Sequence, residues 1–249
     1  MLWRNDIGGM RMKNPNSLMM GLFIVTGLLM MGAIVLALGV APDPVNLATP
    51  TERFAQRIFY FHVPNWWVGF LAYLVAAVAG VLYLISRREQ WDAVGVSSIE
   101  IGLAFNTIGL ISGSIWAKPT WNTWWTWEPR LTTAAIGWLM YVGYLMLRSA
   151  IENPHQRARF AAVFSILAFL DVPVIFLAIR WWRTIHPVVI GGEGGQGVGG
   201  FALGPTIQLV FFFCLGTFTL LYVTLMLVRL RAELLSRRVE HLRQRLMFR

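Results

Sequence analysis

Five tryptophans lie within twelve residues of this 249-residue chain, between two long apolar segments: Trp116, Trp121, Trp124, Trp125 and Trp127. A water-exposed loop with so much aromatic surface would aggregate, so the cluster is predicted to lie against a membrane, a flat aromatic ligand or both. One histidine precedes the cluster and one follows it, namely His62 and His186. Both lie near further tryptophans, and each comes shortly before a proline, at position 64 or 187.

Two imidazoles beside an aromatic surface have the chemistry to hold a metalloporphyrin, because a neutral imidazole nitrogen is a common axial ligand of haem iron. A single loop histidine is usually only a polar residue, and it is the pair that favours bis-histidine ligation. The propionates of a porphyrin need cations. The candidates on the same side are Arg57, Arg130, Arg180 and Arg183. The chain has no C-x-x-C-H motif, so a bound haem is expected to be noncovalent haem b.

The elements that must position these residues are membrane helices. The chain is 57% hydrophobic and 13% charged, with a mean hydropathy of +0.59. Apolar segments that are long enough, or nearly so, to cross about 30 Å of hydrocarbon must be helical, since lipid cannot satisfy backbone polar groups. We place six of them, at residues 18–40, 66–85, 99–117, 131–147, 160–179 and 204–228. They leave no room for a soluble domain, so residues 1–249 are expected to form one membrane domain with a tryptophan-rich loop at about 116–132.

The distribution of basic residues predicts the orientation of this bundle. One side holds 15 of the 21 lysines and arginines, and the other side holds Arg53, Arg57, Lys118, Arg130, Arg180 and Arg183. The fold is therefore predicted to be an all-α membrane protein, a six-transmembrane-helix bundle with both termini cytoplasmic. The tryptophans, His62 and His186 then face outward. His155 and His241 lie among charges on the cytoplasmic side, and we assign them no role in the site.

Short amphipathic helices are expected on the outer face. Thr49, Pro50 and Glu52 form a capping-box pattern with Pro at the first helical position. A second short helix is expected from Trp121 to Glu128, ending before Pro129. In the third outer loop, residues 192–197 match G-x-G-x-x-G, but they lack the strand–turn–helix context of a nucleotide site, so we interpret them as a flexible hinge.

Several other features have structural interpretations. The first apolar segment follows a basic N-terminus but is longer than a signal-peptide core, so it is expected to be a retained helix. The net charge of +9 comes with an arginine-rich C-terminal tail directly after a membrane helix, which favours anionic lipid over nucleic acid as its partner.

The only cysteine, Cys214, lies within the last segment. Of two acids in or near the bilayer, Glu100 is expected to have a structural role at the interface, and the role of Asp171 stays open.

The pattern W-x-x-x-x-W-x-x-W-W-x-W-[DE]-x-R-L-T, flanked by F-H-V-P and R-T-x-H-P, resembles the WWD-domain haem-handling proteins of cytochrome c maturation. With six segments it is most similar to the CcmC (HelC) branch. The resemblance implies His62 and His186 as axial haem ligands, and the five tryptophans as a surface for haem and for a periplasmic chaperone (CcmE). It also implies a bacterial inner-membrane location, and an ABC transporter and small membrane subunits as partners. Arg130 matches the motif arginine, whereas Glu128-Pro129 replaces Asp-Ala and Asn122 replaces a glycine.

The favoured hypothesis is a haem-binding protein that delivers haem at the outer face, without an enzymatic activity of its own. A respiratory b-type electron carrier is one alternative, although such proteins usually place paired histidines within helices on both sides of the bilayer. A haem-exporting transporter component is the other alternative. A channel formed by this chain alone is disfavoured, because no basic path crosses the predicted bilayer.

Overall fold

The computed structural model describes residues 15–44, 47, 49–182, 184–186 and 204–247, and within these ranges the regular structure is entirely helical. Arg183, Pro187 and the glycine-rich stretch that contains residues 192–197 lie outside the described residues. The helices are α1 (Pro15–Val35, continued by a π-helical turn over Leu36–Val40), α2 (Pro50–Ala55, continued by a 3-10 turn over Gln56–Ile58), α3 (Phe59–Ser86), α4 (Glu89–Trp121), α5 (Pro129–Ala150), α6 (Pro154–Phe169), α7 (Asp171–Trp181) and α8 (Pro205–Met247).

Five helical stretches in the described ranges are long and apolar enough to cross a membrane: Ser17–Val40, Pro50–Ser86, Glu89–Trp121, Pro154–Trp181 and Pro205–Met247. The all-helical, multi-pass membrane architecture is thus confirmed. The expected fourth segment is present as α5, but it is not among the five. Its two arginines, two threonines and two tyrosines lower its hydropathy. A sixth crossing therefore stays a prediction.

The capping-box prediction at the start of α2 is confirmed. The Thr49 hydroxyl accepts a hydrogen bond from the Glu52 amide at 3.2 Å, and the Glu52 carboxylate accepts one from the Thr49 amide at 3.0 Å. The helical path then continues through the 3-10 turn into α3. These elements follow one another without a break, so α2 leads directly into α3, whose first turn contains His62.

The predicted short helix from Trp121 to Glu128 is wrong. The α4 helix ends at Trp121 because Asn122 adopts the left-handed conformation, with φ of 56°. The Lys118 ammonium donates to both the backbone and the side-chain oxygen of Asn122, at 3.2 Å each. At the other end of the loop, Pro129 favours an extended Glu128, whose φ and ψ are −69° and 158°. The intervening residues therefore form an irregular loop.

The predicted fifth segment comprises two helices, α6 and α7, which meet at Leu170. Pro173, which lacks a backbone N–H, lies in the first turn of α7, where that donor is not needed. Asp171 begins the helix, and its Oδ2 is buried and makes no hydrogen bond within the described ranges. A Cβ atom built on Gly137 would lie only 2.2 Å from that oxygen. The carboxylate thus packs against the α5 backbone, where only glycine leaves room for it.

A line of glycines brings α3 and α4 into close contact along their length. Gly95, Gly102 and Gly109 recur every seven residues on α4, and Gly113 follows one turn later. A small residue at a helix interface lets two backbones approach closely, which is a common basis of packing in membranes. A Cβ added to Gly95 would lie 3.9 Å from Ala79, and one added to Gly102 would lie 2.8 Å from Ala72. A Cβ added to Gly109 would lie 2.9 Å from the Trp66 ring, and one added to Gly113 would lie 2.8 Å from the His62 ring. The last of these four glycine contacts is therefore the imidazole of His62.

The opposite end of the bundle is joined by buried ion pairs. Asp92 of α4 accepts hydrogen bonds from Arg148 of α5 at 2.5 and 3.1 Å, and from Arg237 of α8 at 2.7 Å. Nearby, Arg229 of α8 pairs with Glu100 of α4. Glu100 thus has the structural contact that was expected of it. Together these pairs connect α4, α5 and α8.

We predict that Asp92→Ala destabilises the protein by about 3–5 kcal/mol, because it leaves the Arg148 guanidinium buried without its carboxylate partner. The side chains of the pair are only 9% and 7% exposed. Equilibrium unfolding in mixed detergent micelles measures the difference. Glu240→Ala, which removes an exposed carboxylate 4.0 Å from Arg243, is the control and should change the free energy of unfolding by less than about 0.5 kcal/mol. Equal effects of the two changes would show that the buried pair does not stabilise the fold.

Candidate functional site

His62 lies in the first turn of α3, buried against the C-terminal half of α4, and is only 7% exposed. Its ring contacts Trp116 edge to face, with centroids 5.8 Å apart, and lies 6.5 Å from the ring of Trp66. The position of the imidazole follows from the glycine interface, since a side chain at Gly113 would occupy the same space. Sequence spacing alone did not reveal this contact.

The surroundings of His62 fix the tautomer of its ring. The Nδ1 atom lies 3.1 Å from the Ser112 hydroxyl, and that hydroxyl donates to the Gly109 carbonyl at 3.1 Å. Since the one proton of the hydroxyl goes to the Gly109 carbonyl, the hydroxyl oxygen accepts from the ring, and Nδ1 carries the hydrogen. The lone pair of the neutral ring is therefore on Nε2, the nitrogen that is left for a ligand.

His186 follows α7 and is half-buried. Its backbone amide donates to the Thr184 hydroxyl at 3.1 Å, and its ring contacts Trp121 edge to face with centroids 6.1 Å apart. Trp116 and Trp121 both belong to the last turns of α4, about 7.5 Å apart along the helix axis. The two histidines, which are far apart in sequence, thus pack against tryptophans at one end of one helix.

Two charged residues, Glu128 and Arg130, lie near the two histidines. The Glu128 carboxylate lies near the backbone amides of Leu131, Ile185 and His186. Its burial raises the pKa of the Glu128 carboxyl, while the Arg130 guanidinium and these amides partly oppose the shift. The charge of Arg130 also acts on the His62 imidazole. One cation thus lies within electrostatic range of both the carboxylate beside His186 and the His62 imidazole.

Several buried polar atoms of the tryptophan-rich loop have no hydrogen-bond partner within the described part of the chain. A buried polar group without a partner is costly, so native proteins usually complete such a group with a ligand, a water molecule or another chain. These loop atoms fall within eight residues: Trp125 Nε1, Thr126 Oγ1 and Thr132 Oγ1. The two Glu128 oxygens are buried with them and face the backbone amides of Leu131, Ile185 and His186 without a hydrogen bond of ordinary geometry. This concentration beside Arg130 is the property expected of an incomplete polar binding site.

The tryptophans of the loop divide into two groups. Trp116, Trp121 and Trp125 are half-buried, and the first two contact the histidines. Trp124 and Trp127 are 57% and 78% exposed, and Trp127 contacts Trp125 edge to face at 5.7 Å. The inner group can therefore hold a ligand, while the outer group presents aromatic surface to a membrane or a partner.

The other predicted site residues lie elsewhere. Arg57 pairs with Asp43 at 3.1 Å and donates to the Ala37 and Leu38 carbonyls at the end of the π-helical turn, so its guanidinium caps that helix end. Arg180 is exposed near the end of α7, and Arg183 is not among the described residues. His155 begins α6 and His241 lies near the end of α8, 3.7 Å from the Glu89 carboxylate. Neither belongs to the His62 and His186 region.

Ser112 and Gly113 are site residues that sequence analysis missed. Neither belongs to the tryptophan motif, and a serine or glycine in an apolar helix has no obvious chemistry. The seven-residue repeat of Gly95, Gly102 and Gly109 was the available signal, because it marks the face of α4 that receives α3.

A family model and three curated relatives that match this chain all carry the name of heme exporter protein C or of a ccmC-like protein. Residues 9–245 match the family model described as "Heme exporter protein C". The chain is 33% identical to the heme exporter protein C of Bradyrhizobium diazoefficiens over 210 residues, covering 84% of this chain and 78% of that protein. It is 31% identical to the heme exporter protein C of Escherichia coli, covering 71% and 69% of the two chains. A cytochrome c biosynthesis ccmC-like mitochondrial protein of Marchantia polymorpha is 30% identical, covering 76% and 79%.

We predict that Arg130→Met raises the pKa of the Glu128 carboxyl further. Burial already raises this pKa, and the Arg130 cation opposes the shift by favouring the charged carboxylate, so its removal leaves burial less opposed. The measurement is a pH titration of the protonated carboxyl band by infrared difference spectroscopy, with Glu128→Gln used to assign the band. Arg159→Met, which removes an exposed arginine of α6, is the control. An unchanged or lowered pKa in Arg130→Met would contradict the proximity of the two groups.

Proposed function

The chain belongs to the haem exporter protein C family, and from this premise we propose that it holds noncovalent haem b at its outer, periplasmic face and delivers it to a haem chaperone for c-type cytochrome maturation. The observation that carries the proposal is the placement of both candidate histidines against tryptophans of one α4 end. In this role the protein is a carrier rather than an enzyme.

The residues present suit haem in three respects. The His62 ring presents Nε2 as its free nitrogen, and His186 supplies the second imidazole, so the pair would ligate the iron. Arg130 would pair with a propionate, for which its planar fork is suited. The unpaired polar atoms of Trp125, Thr126 and Thr132 offer further hydrogen bonds. Bound haem would bring an iron centre that accepts two nitrogen ligands, and its aromatic ring would contact the inner tryptophans.

Delivery requires a surface that a partner can reach while haem is bound. Trp124 and Trp127 provide it, since both are exposed beside the inner tryptophans. We assign them to the docking of a CcmE-like periplasmic chaperone. Arg57 and Arg180 are less suitable for the propionates than Arg130, because Arg57 is engaged with Asp43 and two backbone carbonyls and Arg180 is exposed on α7. Arg183 remains a proposed propionate partner on the sequence pattern alone.

The proposed function includes a location and an assembly. The excess of basic residues in one set of loops supports six crossings of the bacterial inner membrane with both termini in the cytoplasm. The outer site then faces the periplasm, where c-type cytochromes are completed. An ABC transporter and small membrane subunits of the maturation system are the proposed partners within the membrane, and anionic lipid is the proposed partner of the basic residues next to it. No nucleic-acid contact is proposed.

We predict that His62→Ala and His186→Ala each lower the haem content of the purified protein at least about tenfold, because each removes one bond to iron. Haem occupancy is measured by the pyridine haemochrome spectrum on samples matched for protein. His155→Ala is the control, since His155 is exposed at the start of α6 and should keep wild-type occupancy. Loss of haem in the His155 variant with retention in the His62 variant would show that the site has been misplaced.

We predict that the double change Trp124→Ala and Trp127→Ala impairs delivery more than holding. Both rings are exposed, so their loss removes a docking surface while the contacts of Trp116 and Trp121 with the histidines remain. Haem occupancy should stay within about twofold of wild type, and haem transfer to the purified chaperone should fall at least about tenfold. Phe160→Ala, which removes an exposed aromatic ring of α6, is the matched control. Normal transfer by the double variant would reduce the two tryptophans to an interfacial belt.

A further inference from the structure

The last helix extends far beyond any membrane. α8 has 43 residues and is therefore about 65 Å long, roughly twice the thickness of the hydrocarbon core. Arg229 is the first charged residue after its apolar half, and it is held at α4 by Glu100. From Arg229 to Leu246 the helix rises by about 25 Å, whereas the headgroup layer on one side of a bilayer is about 5–8 Å thick. The end of α8 thus lies beyond the reach of the headgroups.

This projecting part of α8 carries a continuous apolar stripe. The stripe residues are spaced alternately four and three positions apart, which is the a and d pattern of a coiled-coil heptad. All of them are exposed, Leu235 by 61% and Leu246 by 74%. They are Val228, Ala232, Leu235, Val239, Leu242 and Leu246. The chain's own contacts lie on another face of the helix, where Glu233 and Arg237 interact with each other and with residues of α4 and α8.

The positions that flank the stripe are almost all basic. In heptad terms, the g positions are Arg231, Arg238 and Arg245, and the e positions are Arg229, Ser236 and Arg243. These positions set partner choice in coiled coils through charge pairs across the interface. No ion pair of Arg231, Arg238 or Arg245 occurs within the described residues. Arg238 and Arg245 lie beyond the headgroup layer, so these two guanidinium groups beside the stripe are available to a partner.

The charges exclude a second copy as the occupant. In a parallel pair of α8 helices Arg238 would face the partner's Arg243, and in an antiparallel pair Arg238 would face its own counterpart. Both arrangements place like charges at the interface, which is destabilising. Lipid is disfavoured for the distal stripe, because Leu242 and Leu246 lie beyond the headgroup layer. The complementary occupant is a helix with apolar a and d residues and acidic residues at e and g.

We propose that the projecting half of α8 docks an acidic amphipathic helix of a partner protein, as a two-stranded coiled coil formed on its exposed heptad stripe. The interaction is independent of the haem site, which lies at the other end of the bundle. It assigns Arg238 and Arg245, which lie beyond the headgroup layer, to protein recognition, whereas Arg231 next to the bilayer remains available to lipid.

The test uses the full-length protein in nanodiscs of phosphatidylcholine. The probes are two fluorescent heptad peptides with leucine at a and d, one with glutamate and one with lysine at e and g. Fluorescence anisotropy should show at least tenfold tighter binding of the glutamate peptide. The double change Leu235→Ala and Leu242→Ala should weaken that binding at least tenfold, because it removes two buried leucines from the seam. The double change Arg238→Glu and Arg245→Glu should reverse the preference in favour of the lysine peptide.

Matched controls separate the stripe from general charge. Arg157→Glu with Arg159→Glu on α6 should leave the preference unchanged, since these arginines are not beside the stripe. Equal binding of both peptides, or binding unaffected by the leucine changes, would overturn the proposal. So would peptide binding that is abolished when phosphatidylglycerol is added to the nanodiscs, which would show that the stripe and its arginines lie on lipid. Efficient disulfide cross-linking of two copies through Val239→Cys would instead assign the stripe to a homodimer and also overturn it.

Discussion

The close approach of α3 to α4 is the constraint on which the site depends. Glycines on α4 let the α3 backbone come near enough that Ala72 and Trp66 fill the space of absent side chains, and His62 fills the last such space at Gly113. The same approach brings the imidazole to the Ser112 hydroxyl, which fixes its tautomer. The packing of α3 on α4 thus also sets the position of the His62 imidazole. A larger residue at Gly113 would disturb both the helix packing and the orientation of that ring.

The second half of the site depends on where α4 ends. Because Asn122 adopts the left-handed conformation, the chain leaves the helix at Trp121 and returns through an irregular loop to Pro129. That loop carries Glu128 to the backbone of His186, while Trp121 contacts the His186 ring. Irregular backbone is tolerated where it lies outside the hydrocarbon or lines a site. The loop can therefore combine unpaired polar atoms with exposed tryptophans.

Much of this could be predicted from the sequence, because strong local patterns govern it. The apolar runs predicted where the long helices lie, although α8 continues to Met247 and the fifth segment is two helices. Thr49 and Glu52 predicted the start of α2. The motif also singled out both histidines and the tryptophans. Tertiary contacts governed what was missed. Helical spacing from Trp121 to Glu128 predicted a helix that the Asn122 conformation prevents, and Arg57 faces the end of α1 rather than the loop. Only the folded chain showed that Ser112 orients His62.

The central proposal for the site is that His62 and His186 together ligate one haem. Magnetic circular dichroism of the ferric protein in the near infrared tests it most directly, because the charge-transfer band identifies both axial ligands. Ligation by both histidines predicts a bis-histidine band for the wild type. It further predicts that His62→Gly and His186→Gly each lose this band and that added imidazole restores it in both. Retention of the bis-histidine band in either variant without imidazole would contradict the claim.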